Sequence, residues 1–590
     1  MDEYDYIIVG AGSAGCVLAN RLSEDPKVSV LVLEAGGKDN SVFMKMPLAW
    51  RQIWRGPKFN WNYTTEPEPF LDGRRLSLPR GKVLGGSSSI NGMLYVRGHP
   101  RDYDLWRQAG CEGWSYADVL PYFKRAEGSW RGEGDYHGGA GPLGVSATDV
   151  SNLNFELIRD TATAAGIPMT EDFSGAQPEG FGIVDLTIKN GVRSSASAVY
   201  LRPALKRANL AVKIGALTER VLIEKGRATG VTYVSNGTRV SAGVRREVIL
   251  CGGSYNSPQL LLLSGVGPAD EIAEHGIAPV HELPGVGKNL SEHAVFHIQF
   301  AMKEPITFLS RLRADRVALS VLQWALFGTG DFATQALTAL AFVRSRPDIE
   351  RPDIQLFFNS TRMDAKVWFP RITPAQQHML EGYPSMNYPE SRGELRLRSA
   401  DPRHPPRIWL NFLGTENDRA TARECIRLVR RIYNTPPLGT LIERETSPGA
   451  EVVSDADLDA FTRRTAEVGH HPVGTCAMGN GPMAVVDPQL RVRGLQGLRV
   501  VDASVMPTVP GGQHERTDNH DCRARRRSDR REDAAGSRVD VKPMSRGRIG
   551  VVTLSPDLFR EPPVMSVPGV QEPSKKKTVI IVVNHTTRGA

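Results

Sequence analysis

Three closely spaced glycines and the acid that follows them have the clearest chemical use of any residues near the N-terminus. Gly10, Gly12 and Gly15 stand in the pattern G-x-G-x-x-G, and Glu34 ends the next apolar run. The first glycine of this pattern permits a tight turn, the second lets the backbone approach a pyrophosphate, and the third lets a helix pack closely on a strand. The acid is placed to accept hydrogen bonds from ribose hydroxyls. These residues predict a bound dinucleotide, without deciding between NAD and FAD.

Histidine is the side chain best suited to take up a proton near neutral pH, and the chain has 13 of them. Residue type alone does not single one out, because most histidines are structural. The 6 cysteines are scattered, with no C-x-x-C pair and no spacing typical of metal ligands. The sequence therefore predicts no metal site, and thiols that stay reduced in a cytoplasm.

The elements that must position the glycines can be predicted from the apolar pattern. Residues 4–9 (YDYIIV) predict a buried strand, CVLANRLSED predicts a helix, and residues 28–33 (VSVLVL) predict a second buried strand. Together they form a βαβ unit, in which the pyrophosphate lies on the free N–H groups at the start of the helix. The expected fold class is α/β with a Rossmann-like domain.

Length and charge limit the remaining possibilities. A chain of 590 residues predicts two domains, and 40% hydrophobic with 23% charged residues is typical of a soluble enzyme. No apolar run is long enough for a membrane span, and the start MDEYDYIIVG is unlike a signal peptide. We therefore expect a cytoplasmic protein, and peripheral attachment to the inner membrane is left open. Of the net charge of +8, residues 513–590 carry +6 (16 Lys/Arg against 10 Asp/Glu), so the other 512 residues carry only +2 and predict no nucleic-acid partner.

Two further segments are rich in glycine and serine, and they identify a family. The first is PRGKVLGGSSSINGMLYVRGHPRDYD from Pro79, and the second is GSYNSPQLLLLSGVG from Gly253, where Ser257-Pro258 predicts a helix start. Both resemble the signature motifs of the glucose–methanol–choline (GMC) oxidoreductases, and the likeness covers about residues 1–512. Several passages look similar to the choline dehydrogenase branch: FNWNYTTEPEP, DYHGGAGPLGV, ELPGVGKNLSEH, SRGELRLRSADP and HHPVGTCAMG.

The resemblance implies FAD as the cofactor and assigns the site residues. Some relatives attach the flavin covalently through a histidine just before the Asn of the first signature. Here Ile90 precedes Asn91, so non-covalent FAD is expected. His471, directly before Pro-x-Gly-Thr, matches the catalytic base, and His470 is taken as a packing neighbour. The implied cofactor-binding residues are Gly10, Gly12, Ser13, Ala14, Gly15, Glu34, Ala35, Val83, Gly86, Asn91, Gly92, Met93, Leu94, Asp502 and Ala503.

The implied reaction is oxidation of a primary alcohol to an aldehyde. The hydroxyl proton goes to a base and a hydride goes to flavin N5, so the base needs a pKa near neutral. Two alternatives stay open: choline dehydrogenase specifically, or an impaired FAD-binding remnant. The sequence does not decide whether a quinone, a dye or oxygen reoxidises the flavin, nor the oligomeric state.

The FAD domain is expected to be discontinuous, because a substrate domain built on an antiparallel sheet interrupts it. We assign residues 1–34, 78–104, 195–300 and 470–510 to the FAD domain, and 116–193 and 301–468 to the substrate domain. LFFNST and GELRLRS predict half-buried strands of the antiparallel sheet. Residues 35–77 connect the two and include an aromatic-rich piece, residues 50–63, which is either a lid or a surface loop.

After Gly512 the family pattern stops. Relatives continue with a string like GNTNAPTIMIAERAADLI, which supplies an Asn that pairs with the catalytic His and then the closing helix. This chain has GQHERTDNHDCRARRRSD, with Glu515 at the position of that Asn. If the expected string is back-translated with suitably chosen synonymous codons and one C is inserted after the first codon, it reads as Gly512 to Asp529 without a mismatch. We interpret residues 513–590 as the product of a shifted reading frame and expect them to be disordered.

Overall fold

The computed structural model describes residues 2–54, 56–373 and 376–512, together with the backbone of two paired antiparallel strands, Val552–Leu554 and Val579–Ile581. Within these residues, seven strands form the first sheet. Its parallel part runs Leu210–Ile214, Val30–Glu34, Asp2–Val9, Thr238–Leu250, Leu498–Val500. The other strands, Arg227–Ser235 and Ala216–Glu224, extend the first half of Thr238–Leu250 antiparallel.

The predicted βαβ unit is present at the N-terminus. Asp2–Val9 and Val30–Glu34 lie side by side and parallel, and the helix Ser13–Leu22 connects them. All five residues of the second strand are buried, because a parallel sheet is covered on both faces. Strands of one sheet come from distant parts of the chain, so the expected α/β class and the discontinuous first domain are confirmed.

The second sheet has eight strands among the described residues, all paired antiparallel. Its order is Ile442–Ser447, Ile298–Met302, Met379–Met386, Ile354–Asn359, Leu337–Val343, Gly180–Gly182, with Ala294–Val295 and Glu467–Val468 at one side. The expected antiparallel sheet is therefore confirmed, with two corrections. The boundary at residue 300 cuts the strand Ile298–Met302, which belongs to this sheet. LFFNST is not half-buried, because Ile354–Asn359 is covered on both faces.

Short strands make smaller sheets around these two. One has four strands: Glu127–Ser129, Leu143–Ala147, Asp185–Leu186 and Leu94–Tyr95. The others are pairs: Tyr63–Thr64 with Ser77–Leu78, Ile188–Lys189 with Val192–Arg193, Val266–Gly267 with His281–Glu282, and Glu394–Arg396 with Arg407–Trp409. The GELRLRS strand therefore lies outside the large antiparallel sheet.

The helices fill the space around the sheets. The α-helices are Ser13–Leu22, Val42–Lys45, Trp50–Trp54, Pro100–Gln108, Tyr116–Ala126, Phe155–Ala164, Arg202–Ala204, Gly253–Leu263, Ala269–Ala273, Ala314–Phe327, Glu416–Tyr433, Leu438–Leu441 and Asp455–Thr465. Short 3-10 helices are Pro47–Ala49, Pro57–Phe59, Gly86–Ser89, Phe308–Leu312, Asp331–Ala333 and Ala503–Val505, and Ser197–Leu201 is a π-helix. None of the helices in the described part of the chain is long and apolar enough to cross a bilayer.

The aromatic-rich connection packs inside the molecule. Trp50, Ile53 and Trp54 are buried in an apolar cluster that also contains Ile90 and Met93. This burial argues against a surface loop with chance aromatics. Whether residues 35–77 move as a lid stays a prediction, and the expected disorder of residues 513–590 falls almost entirely outside the described residues.

Candidate functional site

A cavity of about 1180 Å³, counted out to its open mouth, lies at the carboxyl ends of the parallel strands. Strand ends such as Val9, Leu33 and Leu250 form its floor. Nine of the predicted cofactor residues line it: Gly10, Gly12, Ser13, Ala14, Glu34, Ala35, Gly86, Asp502 and Ala503. The others, Gly15, Val83, Asn91, Gly92, Met93 and Leu94, are buried beside it, as is His471.

The glycines have the separate roles that the fingerprint assigns to them. A Cβ on Gly10 would lie 2.5 Å from the carbonyl oxygen of Cys251, and its φ is +102°. A Cβ on Gly15 would lie 1.9 Å from the carbonyl oxygen of Gly10, so helix and strand can approach only at glycine. A Cβ on Gly12 would make only an ordinary contact, 3.8 Å from the carbonyl oxygen of Cys251, whereas a Cβ on Gly86 would lie 2.7 Å from the Cα of Gly12. The first signature segment therefore packs directly on the Gly10–Gly15 segment. The glycines there carry no side chain that would keep a pyrophosphate from the backbone.

Glu34 is fully buried at the end of its strand. Its two carboxyl oxygens accept hydrogen bonds from the backbone N–H of Ala11 (2.9 Å) and of Gly36 (2.7 Å). Burial nevertheless raises the pKa of Glu34 to about 7. A carboxyl group that already lines the cavity and has free acceptor capacity fits the hydroxyls of a ribose.

Asp502 connects the last strand of the first sheet to the second signature helix. One oxygen accepts from the backbone N–H of Gly253 (2.9 Å) and from the hydroxyl of Ser257 (2.5 Å). The other accepts from the N–H and hydroxyl of Ser504. Burial raises the pKa of Asp502, but these four donors keep the carboxyl fixed. The helix itself is Gly253–Leu263, so the predicted start at Ser257-Pro258 is wrong and Pro258 lies inside it.

Asn91, in the first signature segment, is hydrogen-bonded to Arg193. The guanidinium of Arg193 donates to the side-chain oxygen of Asn91, which also accepts from the N–H of Met93 at 3.2 Å. The amide nitrogen of Asn91 is buried and has no hydrogen-bond partner within the described structure. A buried donor of this kind fits a ligand that offers an acceptor, because an unsatisfied amide costs about 1–3 kcal/mol. Ile90, next to it, is an apolar side chain with no group that could bond a flavin covalently.

The segment that contains His471 is held by the second signature helix. Pro258 has no N–H for the carbonyl of Ser254, and the hydroxyl of Thr475 donates to that carbonyl instead, at 2.7 Å. The hydroxyl of Ser254 donates to the carbonyl of Pro472 at 2.6 Å. Two hydrogen bonds therefore hold the residues on both sides of Val473, and Pro472 reaches the cavity wall.

His471 contacts a second histidine that the sequence did not single out. Its Nδ1 lies 2.8 Å from Nδ1 of His293, and Nε2 of His293 lies 3.0 Å from the carbonyl oxygen of Asn387. Glu292 accepts the backbone N–H groups of His293 and His471 with the same carboxyl oxygen. Burial raises the pKa of Glu292 to about 8, although Arg80 lies 3.5 Å away. The passage ELPGVGKNLSEH was the only sequence signal for these residues, and no role was assigned to them.

An aromatic ring packs on the neighbouring His470. The ring of Trp54 lies 5.0 Å from that of His470, and Trp50 lies 4.7 Å from Trp54. Tyr383 and Phe357 belong to the same buried cluster. His470 has φ +68°, a strained conformation for a residue other than glycine, so the packing around it holds the His470-His471 backbone in place.

The comparisons with known proteins agree with this geometry. A family described as "GMC oxidoreductase" matches residues 4–295 and 389–517. The "Oxygen-dependent choline dehydrogenase" of Photobacterium profundum is 45% identical over 86% of this chain and 90% of its own length. The mitochondrial choline dehydrogenase of Mus musculus is 46% identical over 87% of each chain.

Solved structures show the same fold. Pyridoxine 4-oxidase from "Mesorbium loti" is 29% identical with a TM-score of 0.77, over 86% of this chain and 96% of that one. A formate oxidase variant from Aspergillus oryzae is 27% identical with a TM-score of 0.79, over 87% and 95%. The residues around the cavity fit an FAD, because the bare glycine backbone, Glu34 and the buried amide of Asn91 match its pyrophosphate, ribose and acceptor groups. The chain therefore belongs to the GMC oxidoreductase family and is an FAD-dependent oxidoreductase that acts on CH–OH groups.

Proposed function

We propose that the protein oxidises a primary alcohol to an aldehyde, with non-covalent FAD as hydride acceptor and His471 as general base. A quinone, a dye or oxygen then takes the electrons. The observation that carries this proposal is the hydrogen-bond chain from Asn387 through His293 to His471. The test is the His471 substitution argued in the Discussion.

That chain supports one tautomer of His471 for the proposed reaction. The carbonyl of Asn387 can only accept, so Nε2 of His293 carries the proton that it donates. A neutral His293 then has its lone pair on Nδ1, and this atom accepts from Nδ1 of His471. His471 therefore carries its own proton on Nδ1 and its lone pair on Nε2. Nε2 is the atom that takes the hydroxyl proton of the alcohol.

The proposed cofactor residues divide by the part of FAD that they hold. Gly12 leaves room for the pyrophosphate at the start of the helix Ser13–Leu22, where the helix dipole favours negative charge, and Gly10 and Gly86 let the neighbouring backbone pack closely there. Glu34 accepts the ribose hydroxyls. Asn91 donates its buried amide to the flavin side of the site. When bound, the flavin supplies the hydride acceptor, N5; the protein supplies position, exclusion of water and the base.

Non-covalent attachment can be tested directly. Precipitating the purified holoprotein with acid should leave the yellow chromophore in the supernatant, because Ile90 offers no nucleophile at the position where some relatives bond the flavin. The absorbance of supernatant and pellet is the measurement. Colour that stays with the washed pellet would contradict the prediction.

Substitution of Glu34 should change both the strength and the pH dependence of FAD binding. Ribose hydroxyls donate best to an ionised carboxylate, and the pKa of Glu34 in the empty protein is about 7. FAD affinity should therefore rise with pH up to about 7 and level off above it. Glu34→Gln removes the charge-assisted hydrogen bonds, so the Kd should rise roughly 10–100-fold at pH 8 and lose its pH dependence.

Fluorescence titration of apoprotein with FAD between pH 5.5 and 8.5 measures the Glu34 effect. Glu24→Gln is the matched control, because Glu24 is an exposed glutamate outside the cavity. Unchanged affinity in Glu34→Gln, or an equal loss in Glu24→Gln, would remove Glu34 from the ribose site.

Choline is the second candidate substrate, favoured by the names of the relatives. A trimethylammonium group needs aromatic faces and a negative charge. Tyr383 lies in the aromatic cluster, 4.6 Å from the ring of His297, and His297 contacts the buried Glu381 at 2.9 Å. Burial opposes charge on both partners, but their mutual attraction prevails: it lowers the pKa of Glu381 and raises that of His297.

Glu381, the buried carboxylate beside this aromatic cluster, is thus already paired with a histidine. This pairing weakens the case for a cationic substrate and favours a neutral alcohol. Comparing kcat/KM for choline with that for neutral primary alcohols of similar size separates the two candidates.

A further inference from the structure

An apolar surface lies on the outside of the substrate domain. The helix Ala314–Phe327 exposes Leu319, Leu322, Leu326 and Phe327, and residues 366–372 expose Val367, Phe369 and Ile372. These seven side chains, which we call the apolar face, are exposed by 40% (Phe369) to 77% (Ile372). A soluble monomer seldom shows so many large apolar side chains close together.

The helix Ala314–Phe327 exposes its apolar side and buries a polar residue, which is the opposite of an ordinary surface helix. Its exposed leucines recur at helical spacing on the outer side, while Ser320 is its buried residue. Polar groups attach the inner side: the hydroxyl of Ser320 donates to Asp331 at 3.0 Å, and the indole of Trp324 donates to the carbonyl of Gly191 at 2.8 Å. The apolar outer side is therefore fixed in its outward direction.

The loop is attached to the N-terminal end of the helix. The backbone N–H of Ala314 donates to the carbonyl of Trp368 at 2.8 Å, and the N–H of Trp368 donates to the carbonyl of Leu312 at 3.1 Å. The indole of Trp368 donates to the carbonyl of Leu309 at 2.9 Å. Residues 366–372 are thus attached to the N-terminal end of the helix, and they extend the apolar face there.

Basic side chains border the apolar face. Arg316, Lys366 and Arg371 are all exposed. Within the residues that the structure describes, none of the three makes an ion pair. The nearby acids are already engaged: Asp315 pairs with Arg313 and Asp364 with Arg362. The border of the face therefore presents uncompensated positive charge.

We propose that the apolar face docks into the headgroup region of an anionic lipid bilayer. Fixed apolar side chains enter the boundary between headgroups and acyl chains, and the three basic residues contact anionic headgroups. A second copy of the chain fits the face less well. In a two-fold dimer the same patch meets itself, so its basic border would face like charge.

Docking would place a lipid surface on the same side as the contacts of the helix Trp50–Trp54, in which the ring of Trp54 packs on His470. Gln335 donates to the carbonyl of Pro47 at 3.1 Å and accepts from the indole of Trp50 at 2.9 Å. Arg51 donates to the carbonyl of Met363, a few residues before the apolar loop. If the proposed function holds, a lipid-soluble alcohol or electron acceptor would reach the site from the bilayer. The docking itself does not depend on that function.

Co-sedimentation of the full chain with vesicles tests the proposal. The vesicles are phosphatidylcholine alone, or phosphatidylcholine with roughly one third phosphatidylglycerol. Wild type should pellet with the anionic vesicles, and the double variant Leu322→Asp/Leu326→Asp should partition at least about 10-fold less. The triple variant Arg316→Glu/Lys366→Glu/Arg371→Glu should lose the preference for anionic vesicles.

The matched control is Leu205→Asp/Val280→Asp, whose side chains are exposed by 47% and 50% but lie in the first domain. It keeps the basic C-terminal residues, so binding through them would appear in control and test alike. Equal partitioning of both double variants, or no pelleting of wild type, overturns the proposal. So does a wild-type dimer, measured by light scattering without vesicles, that Leu322→Asp/Leu326→Asp converts to monomer. Thermal melting of each variant establishes that it is folded.

Discussion

Replacing His471 with alanine should slow flavin reduction by an alcohol roughly 10²–10⁴-fold, the usual loss when a general base is removed. In the proposed mechanism Nε2 of His471 carries the lone pair, and alanine leaves no group to take the hydroxyl proton. FAD should stay bound, because His471 lies beside the cavity and is not part of its lining. Anaerobic stopped-flow reduction measures the rate, and the flavin spectrum measures occupancy, both in protein with the reading frame corrected at Gly512.

His293 provides the internal test of that prediction. His293→Ala should also slow reduction, by a smaller factor, because it removes the partner that fixes the tautomer of His471 and leaves the base itself. In the His471→Ala background the same change should have almost no further effect, since His293 acts through His471. His275→Ala, in the turn that follows the short helix Ala269–Ala273, is the matched control. Normal reduction in His471→Ala, or additive losses in the double variant, would contradict the assignment.

The parts of the fold with a strong local pattern could be predicted from the sequence. Residues 4–9 were predicted as a strand, and Asp2–Val9 is one. A parallel strand that is buried on both faces is apolar along its length, without alternation of polar and apolar residues, so it can be identified from the sequence. The spacing of Gly10, Gly12 and Gly15 predicted a close approach of backbone to backbone, and a Cβ on Gly15 would indeed collide with Gly10. Such local requirements leave their mark in a few adjacent residues.

Features that depend on contacts between residues far apart in the sequence could not be predicted from a local pattern. His293 and His471 are 178 residues apart, and no local pattern shows that their rings meet. The helix start at Gly253 was missed because Pro258 usually begins a helix, whereas here Thr475 satisfies the carbonyl that proline leaves unpaired. The boundary at residue 300 was placed by composition, but the strand Ile298–Met302 joins the second sheet through residues near 380 and 445.

Hydrogen bonds hold the chain in place up to the point where the family pattern stops. Asn289 donates to the carbonyl of Pro507 at 2.9 Å, and the indole of Trp106 donates to the hydroxyl of Thr508 at 2.8 Å. The N–H of Gly511 donates to Asp102 at 2.9 Å. These three contacts fix residues 507–511, which follow a few residues after the cavity residues Asp502 and Ala503.

Deleting one base near the Gly512 codon should raise alcohol oxidation roughly 10²-fold or more, and should also raise FAD affinity and thermal stability. The restored string would supply an apolar helix, whose N-terminal N–H groups stabilise negative charge in the site, and an Asn beside His471; loss of one such donor alone costs about 10²–10³-fold. The present residues 523–533, RARRRSDRRED, would cost several kcal/mol if buried without partners. Dye-linked turnover, FAD titration and melting temperature are the three measurements.

A control for the frame correction separates the helix from the Asn. In the corrected chain, returning only position 515 to glutamate should keep the stability but lose most of the activity, because a carboxylate beside His471 and the flavin opposes the negative charge that develops there. If the helix alone mattered, this variant would be fully active. If the uncorrected chain were as active and as thermostable as the corrected one, residues 513–590 would be a genuine part of the enzyme, and the shifted-frame interpretation of its C-terminus would be wrong.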